Sequence, residues 1–155
     1  MRHYQAVLTA ALVSLALLAS CKTESGKGAD VGGTAIKEDQ SSALARYTKF
    51  AGEPVRQFTW LGRFDSWEPL SNDQLVVYTT PTEAYLLKVW GPCRDLPFAT
   101  TMGLSSTGST VYSGLDSVIV RGQRCPISEV RPVDVKKMRE DMKAQRAAEK
   151  AQAPQ

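Results

Sequence analysis

Between residues 55 and 130 the sequence alternates apolar and polar side chains in short segments, with turn residues about every ten positions. In VRQFTWLGRF, Phe58, Trp60 and Phe64 fall on one face of an extended chain. Two later runs, QLVVYTT and AYLLKVW, flank the turn Pro81-Thr82-Glu83 and predict an antiparallel hairpin. No strand–helix–strand alternation is visible, so the pattern favours an antiparallel sheet over a parallel α/β fold.

Three further segments extend the predicted sheet. Residues 98–104 and 125–130 each predict one strand, and residues 110–120 predict one broken strand or two short ones, with Gly114 at a bulge. The expected fold class is mainly β: a small antiparallel sheet curling into a barrel or sandwich. The predicted core side chains are Phe58, Trp60, Phe64, Leu75, Val77, Tyr85, Leu87, Val89, Leu96, Val118, Val120 and Ile127.

A helix is predicted on each side of the β segment. Ser42 is a candidate N-cap for a short N-terminal helix that includes Tyr47. Asp134 is a candidate N-cap for a C-terminal helix of good helix formers. The narrow apolar stripe of that helix consists of Val135, Met138 and Met142. Because the rest is charged all round, we expect the helix to dock by its first turns only.

The first twenty residues are typical of an export signal. Arg2 precedes an apolar run over residues 6–19. A transmembrane helix needs about 20 apolar residues, so this run is too short to span a bilayer. A short positive segment followed by such a run is typical of a signal peptide, which takes no part in the fold.

The end of the apolar run, Leu18-Ala19-Ser20-Cys21, resembles the lipobox of bacterial lipoproteins. The resemblance implies cleavage before Cys21, lipid on its sulfur, and acylation of the new amino terminus. Lys22 stands where an aspartate commonly retains such proteins at the inner membrane, so it favours the outer membrane. The glycines and charges of residues 22–42 predict a flexible tether.

These segments divide the chain into a signal peptide (1–20), a lipidated cysteine with its tether (21–42), a β domain (43–133) and a charged C-terminal helix and tail (134–155). Cleavage would leave 155 − 20 = 135 residues, enough for one domain plus tails. It would also remove Arg2 and take the formal net charge from +3 to +2. A charge this small gives no reason to expect nucleic-acid binding.

His3 is the only histidine and lies in the predicted signal peptide. Its removal excludes Ser-His-Asp and Cys-His catalysis as normally built, and zinc sites with histidine ligands. Any general acid or base would be a carboxylate, lysine, tyrosine or free cysteine. We therefore expect a non-enzymatic protein with no catalytic residue, no metal site and no cofactor.

With Cys21 carrying lipid, Cys93 and Cys125 remain as a pair. Outside the cytoplasm such a pair persists as a disulfide. Both adjoin a proline, which favours a structural disulfide over a redox-active CxxC site. Metal ligation is the third and weakest interpretation.

Three arginines form one candidate ligand site. Arg94 follows one cysteine, and Arg121 and Arg124 precede the other, so a disulfide would bring Arg94 near Arg124. Forked guanidinium groups suit phosphate or carboxylate ligands, such as lipid A phosphates or peptidoglycan peptides. The alternative is a solvated surface with ion pairs to Asp95 or Glu129.

The segment DSWE supplies a second candidate site. Asp65 and Glu68 resemble the paired carboxylates of glycosidases, and Trp67, with Trp60 and Trp90, is a candidate for stacking on sugar. The alternative is that the tryptophans fill the core and the carboxylates belong to turns.

The run WEPLSNDQLVVYTTPTEAYLLKVWGPCRDLPFA, together with RGQRCPISEVRPVDVKKMR, resembles an uncharacterised proteobacterial lipoprotein family, a domain of unknown function. The resemblance covers residues 44–140, and AYLLKVWGPC and CPI are its most specific elements. It implies the lipobox and the two cysteines, and it assigns no activity.

These features predict an outer-membrane lipoprotein facing the periplasm, anchored by lipid on Cys21. We expect a binding or structural module of the cell envelope, with an envelope protein or peptidoglycan as partner. The alternative is a carboxylate-dependent hydrolase acting on cell-wall glycan or lipid.

Intact mass spectrometry of the exported protein is expected to find a chain that begins at Cys21 and carries acyl groups. Replacing Cys21 with serine is the matched control, because it removes the sulfur that accepts lipid. An unmodified wild-type chain beginning at Met1 would refute the lipoprotein interpretation.

Overall fold

The computed structural model describes residues 31–152. Helix α1 (Val31–Lys49) is followed by eight strands and a second helix, α2 (Val135–Gln152). A short 3₁₀ turn, Leu96–Phe98, lies between the fourth and fifth strands. The strands are β1 (Gln57–Thr59), β2 (Ser66–Pro69), β3 (Gln74–Thr80), β4 (Glu83–Val89), β5 (Gly103–Leu104), β6 (Thr110–Tyr112), β7 (Ser117–Val120) and β8 (Gln123–Val133).

Six strands form the main sheet in the order β2-β3-β4-β8-β7-β5, and β1 and β6 pair as a small second sheet. All neighbouring strands are antiparallel. The expected mainly β fold, a curled antiparallel sheet with a helix at each end, is confirmed. The predicted hairpin is present as β3 and β4, with Leu75 opposite Leu87.

The first core cluster joins the small sheet to one face of the main sheet. All twelve predicted core residues belong to it, with Phe64 and Tyr85 only partly buried at its margin. Phe58 of β1 and Val111 of β6 are buried against strands of the main sheet. A buried Val, Leu or Phe side chain contributes about 1.5–3 kcal/mol, so this layer holds the small sheet in place.

The sequence did not predict the second core cluster, which covers the opposite face of the sheet. Tyr47 of α1 and Met138 of α2 pack there against Val76 and Leu86 of the hairpin. Lys49 of α1 also pairs with Asp141 of α2 at 2.9 Å. The hairpin is therefore buried on both faces, and the two helices share one of them.

Helix α2 begins as predicted. The Asp134 carboxylate accepts a hydrogen bond from the Lys137 backbone N–H at 3.0 Å, which caps the helix. Val135 and Met138 are buried and Met142 packs at the edge of the second cluster. From Lys143 to the end of the helix every side chain is exposed, as expected for a helix that docks by its first turns.

Two predicted boundaries are wrong. Helix α1 begins at Val31, so the second half of the predicted tether is helical, and Ser42 lies inside the helix with its hydroxyl donating to the Asp39 carbonyl. In the predicted strand at residues 98–104 only Gly103 and Leu104 pair. Pro97 favours the helical φ of the preceding 3₁₀ turn and cannot donate to a strand ladder.

Cys93 and Cys125 form the predicted disulfide, with their Cα atoms 5.9 Å apart. The bridge joins the segment after β4 to the start of β8 and lies in the first core cluster. None of the described residues forms a helix both long and apolar enough to cross a membrane.

Replacing both Cys93 and Cys125 with alanine is expected to lower the free energy of unfolding by roughly 3.5–4 kcal/mol. The reason is that the bridge closes a loop between positions 32 apart and so restricts the unfolded chain. Urea unfolding followed by tryptophan fluorescence measures the difference. Wild-type protein treated with reductant should shift equally, and an unchanged midpoint in both samples would contradict a structural role.

Candidate functional site

A groove of about 730 Å³ opens between the β1–β2 loop and the β3–β4 turn. Asp65 ends the loop, and its backbone N–H donates to the Tyr78 carbonyl at 2.8 Å, which fixes the loop to β3. Since β2 pairs with β3 only from Ser66↔Tyr78 onward, the last residues of β3 border the groove. The groove is lined by Thr59, Trp60, Leu61, Arg63, Phe64, Asp65, Thr79, Thr80, Pro81 and Glu83.

An aromatic pair forms one wall of the groove. The rings of Trp60 and Phe64 stack with centroids 5.7 Å apart and planes 15° from parallel. Gly62 between them has a φ of 77°, a left-handed conformation that lets the loop fold back on itself. Trp60 is only 8 % exposed, whereas Phe64 is half-buried. Phe64 is therefore the ring that a ligand can touch.

Trp60 also carries a polar group without a partner. Its Nε1–H is buried and makes no hydrogen bond within the described residues. Leaving a buried donor unsatisfied costs about 1–3 kcal/mol. The Trp60 Nε1–H is therefore a cost to stability inside the first core cluster rather than a group on the surface of the groove.

The groove carries charges of both signs, from Arg63, Asp65 and Glu83. The Tyr85 hydroxyl donates to the Glu83 carboxylate at 2.5 Å, and the Tyr85 ring stacks on Phe58 at 4.5 Å. Burial, together with the hydrogen bond and the charge of Glu83, raises the pKa of Tyr85 to about 12. Tyr85 therefore remains a donor at neutral pH and holds the Glu83 carboxylate at the groove.

The structure does not bring the two predicted carboxylates together. Asp65 lines the groove, but Glu68 accepts a hydrogen bond at 2.9 Å from the hydroxyl of Tyr47 beneath α1. The Tyr47 hydroxyl is also 3.1 Å from that of Tyr78. Burial and these two hydrogen bonds raise the pKa of Tyr47 far above its ordinary value. Glu68 thus fastens α1 to the sheet.

The three tryptophans occupy different environments. Trp60 is buried in the first core cluster and Trp67, a predicted ligand contact, packs half-buried at the edge of the same cluster. Trp90 is 70 % exposed and follows β4, at the other end of that strand from the groove. The structure does not gather the tryptophans on one sugar-binding surface.

The predicted arginine site lies around the disulfide. Arg94 and Arg124 are exposed beside the bridged cysteines, and neither forms an ion pair among the described residues. Arg121 lies in the β7–β8 turn and donates to the Phe98 carbonyl at 3.4 Å. Glu129, an expected partner, is instead paired with Arg131.

Sequence reasoning missed Arg63 and Glu83 as groove residues. They are distant in sequence, and only the pairing of β2, β3 and β4 brings their segments together. The available signal was the pair Leu61-Gly62, which places an apolar side chain in a loop. The structure leaves the Leu61 side chain 84 % exposed. Across the described range no three His, Cys, Asp or Glu side chains cluster as metal ligands.

A comparison with protein families matches residues 4–149 to a family of unknown function, DUF6491. The chain belongs to this family. The match spans Cys21, both bridged cysteines and the residues of the groove. No curated protein and no solved structure matches the chain. Membership in DUF6491 assigns no activity to the chain.

Replacing Tyr85 with phenylalanine is expected to reduce the loss of stability at alkaline pH. The unfolded chain releases this proton near the ordinary pKa of 10.0, whereas the folded chain holds it to about 12. The wild-type free energy of unfolding should therefore fall more steeply than that of the variant between about pH 10 and 12.

Urea unfolding at a series of pH values measures this difference. Glu83→Gln serves as a partner variant, because it removes the negative charge that opposes ionisation of Tyr85 while leaving the ring in place. Parallel pH profiles for wild type and Tyr85→Phe would contradict the assignment.

Proposed function

We propose that this protein is a lipid-anchored module of the bacterial envelope that binds a cell-wall or envelope-protein ligand in the groove beside Trp60 and Phe64. The groove carries the proposal, because it combines an accessible aromatic ring, threonine hydroxyls and charges of both signs. Binding sites typically join such an apolar wall to a few polar groups that orient the ligand.

The envelope location is supported by the sequence and by the disulfide together. The signal-like run and Leu18-Ala19-Ser20-Cys21 point to export and lipid attachment. A buried bridge between Cys93 and Cys125 fits an oxidising compartment. Lys22 favours the outer membrane, with the domain facing the periplasm.

The groove chemistry favours a polar ligand that carries both an amine and a carboxylate. Arg63 can bind a carboxylate, and Asp65 and Glu83 can bind an ammonium group. A sugar ring or an apolar part of the ligand can pack against Phe64, the accessible ring of the groove. Peptidoglycan stem peptides and their attached sugars supply all of these groups, and so does an extended segment of an envelope protein.

In-cell photo-cross-linking from position 61 is expected to capture this ligand. Leu61 lines the groove and is 84 % exposed, so a photo-reactive amino acid there points outward without disturbing the core. Leu115 is the matched control, because it is 81 % exposed and lies in the β6–β7 turn away from the groove lining. Mass spectrometry identifies the captured peptidoglycan or protein.

Capture from position 61 but not from position 115 is the expected result. It should weaken when Arg63 is replaced by glutamine and persist when Arg56, an exposed arginine outside the groove lining, is replaced. Equal capture from both leucines, or from neither, would contradict a ligand site in the groove.

A second candidate is a carboxylate-dependent hydrolase of cell-wall glycan or lipid, favoured by the presence of Asp65 and Glu83 in one groove. It uses Glu83 in place of Glu68, which is occupied by Tyr47. If the protein degrades isolated cell walls, Asp65→Asn should abolish turnover, and Glu68→Gln should leave it unchanged. Binding without turnover in the wild type favours the binding module.

A further inference from the structure

Two large apolar side chains remain in water beside the disulfide. Trp90 is 70 % exposed and Phe98 is 69 % exposed, although both flank the well-buried Cys93. Contiguous exposed apolar surface marks sites that contact another protein or a membrane, whereas a single scattered apolar residue needs no explanation. Neither residue lines the groove, so the proposed groove function does not use them.

The backbone that carries them is held firmly. The Trp90 N–H donates to the Pro126 carbonyl and the Cys93 N–H to the Asn72 carbonyl, at 2.8 and 2.7 Å. The disulfide ties the same segment to β8. We call residues 90–98 and 121–126 the disulfide end of the domain. The backbone that carries the aromatics is therefore already fixed and loses little further freedom when their side chains are covered.

The exposed charges of the disulfide end are all positive. They belong to Arg94, Arg121 and Arg124. Two carboxylates lie nearby, but Asp95 and Asp73 are half-buried, and Asp73 accepts a hydrogen bond from Ser71 at 2.6 Å. The surface thus offers guanidinium groups outward and keeps its acidic groups partly covered.

We infer that the disulfide end docks on an anionic phospholipid surface, with Trp90 and Phe98 at the level of the headgroups and the three arginines on lipid phosphates. Tryptophan favours this interfacial layer, and segments that lie at a membrane surface bury Trp and Phe side chains at the boundary of headgroups and acyl chains. Guanidinium groups bind phosphate through forked hydrogen bonds. Basic residues near an anionic leaflet each add attraction that salt screens. The inference depends on the proposed function in one respect, because the envelope location supplies the bilayer.

Weak docking is sufficient because the chain between Cys21 and the start of α1 is short. Helix α1 begins ten positions after Cys21, and ten residues reach at most about 35 Å even when fully extended. A lipid on Cys21 would keep the domain within reach of the same leaflet, so docking becomes an intramolecular step at high effective concentration. Two aromatics and three arginines would not need to bind membranes tightly by themselves.

The fluorescence of Trp90 reports directly on docking. The full chain is reconstituted in vesicles of brominated phosphatidylglycerol or brominated phosphatidylcholine, and tryptophan quenching is measured. Trp90→Phe gives the background of Trp60, which is buried, and Trp67, which is half-buried. We expect Trp90 emission to be quenched in the anionic vesicles and much less in the zwitterionic ones.

Replacing Arg94 and Arg124 with glutamine should weaken the docking equilibrium roughly 30-fold, from the attraction of two basic residues. The matched control replaces Arg146 and Lys150 with glutamine, which removes the same charge from the exposed part of α2. The control should keep its quenching. Equal losses in both double variants would overturn a specific role for the disulfide end.

Two readouts separate this inference from the proposed anchor. Intact mass of the reconstituted sample reports on Cys21, and quenching reports on Trp90. Quenching with an unmodified Cys21 would support docking while the anchor fails. A lipidated chain whose Trp90 is reached by aqueous acrylamide but not by brominated lipid would overturn docking, and would leave a protein partner or a second copy as the occupant of this surface.

Discussion

Burial of the β3–β4 hairpin on both faces is the constraint on which the rest of the structure depends. Leu75 and Leu87 point into the first core cluster, and Val76 and Leu86 point into the second. A strand buried on both faces needs a covering layer on each side. Each Val or Leu side chain left exposed would lose about 1.5–3 kcal/mol of stabilisation from burial. Two helices supply one layer, and the small sheet with its neighbouring loops supplies the other.

This arrangement also accounts for the groove. β3 continues past the end of its pairing with β2, so Thr79 and Thr80 have β4 on one side only. The β1–β2 loop closes over the first core cluster with the stacked rings of Trp60 and Phe64 but does not extend the sheet there. The space left between loop and turn is the groove, and it exists because β3 extends beyond the end of its pairing with β2.

Periodicity predicted one face of this fold and not the other. All twelve residues predicted from the sequence belong to the first core cluster, although its members Leu104, Val111 and Val130 were not predicted. The uninterrupted apolar runs at the centre of each hairpin strand, such as Leu75-Val76-Val77, were the sign of two-sided burial. That sign would have required a covering layer on the second face, which α1 and α2 supply.

The candidate sites were harder to predict because side-chain direction depends on pairing. Asp65 and Glu68 are three positions apart, yet Asp65 lines the groove while Glu68 accepts a hydrogen bond from Tyr47 beneath α1. Asp65 and Glu83 are eighteen positions apart, yet they line one groove. The disulfide, by contrast, follows from the sequence once export is assumed, because only one pairing of Cys93 and Cys125 is available.

The groove and the disulfide end lie at opposite ends of one strand. Glu83 opens β4 at the groove, and Trp90 follows directly after its last residue, Val89. Seven residues of strand separate the two regions by about 20 Å. A domain that rests on a bilayer through Trp90 and its neighbouring arginines would therefore hold the groove away from the lipid. In that orientation an anchored protein would present its ligand site toward the cell wall. The two proposals would then describe one geometry, in which β4 would separate a membrane contact from a binding site.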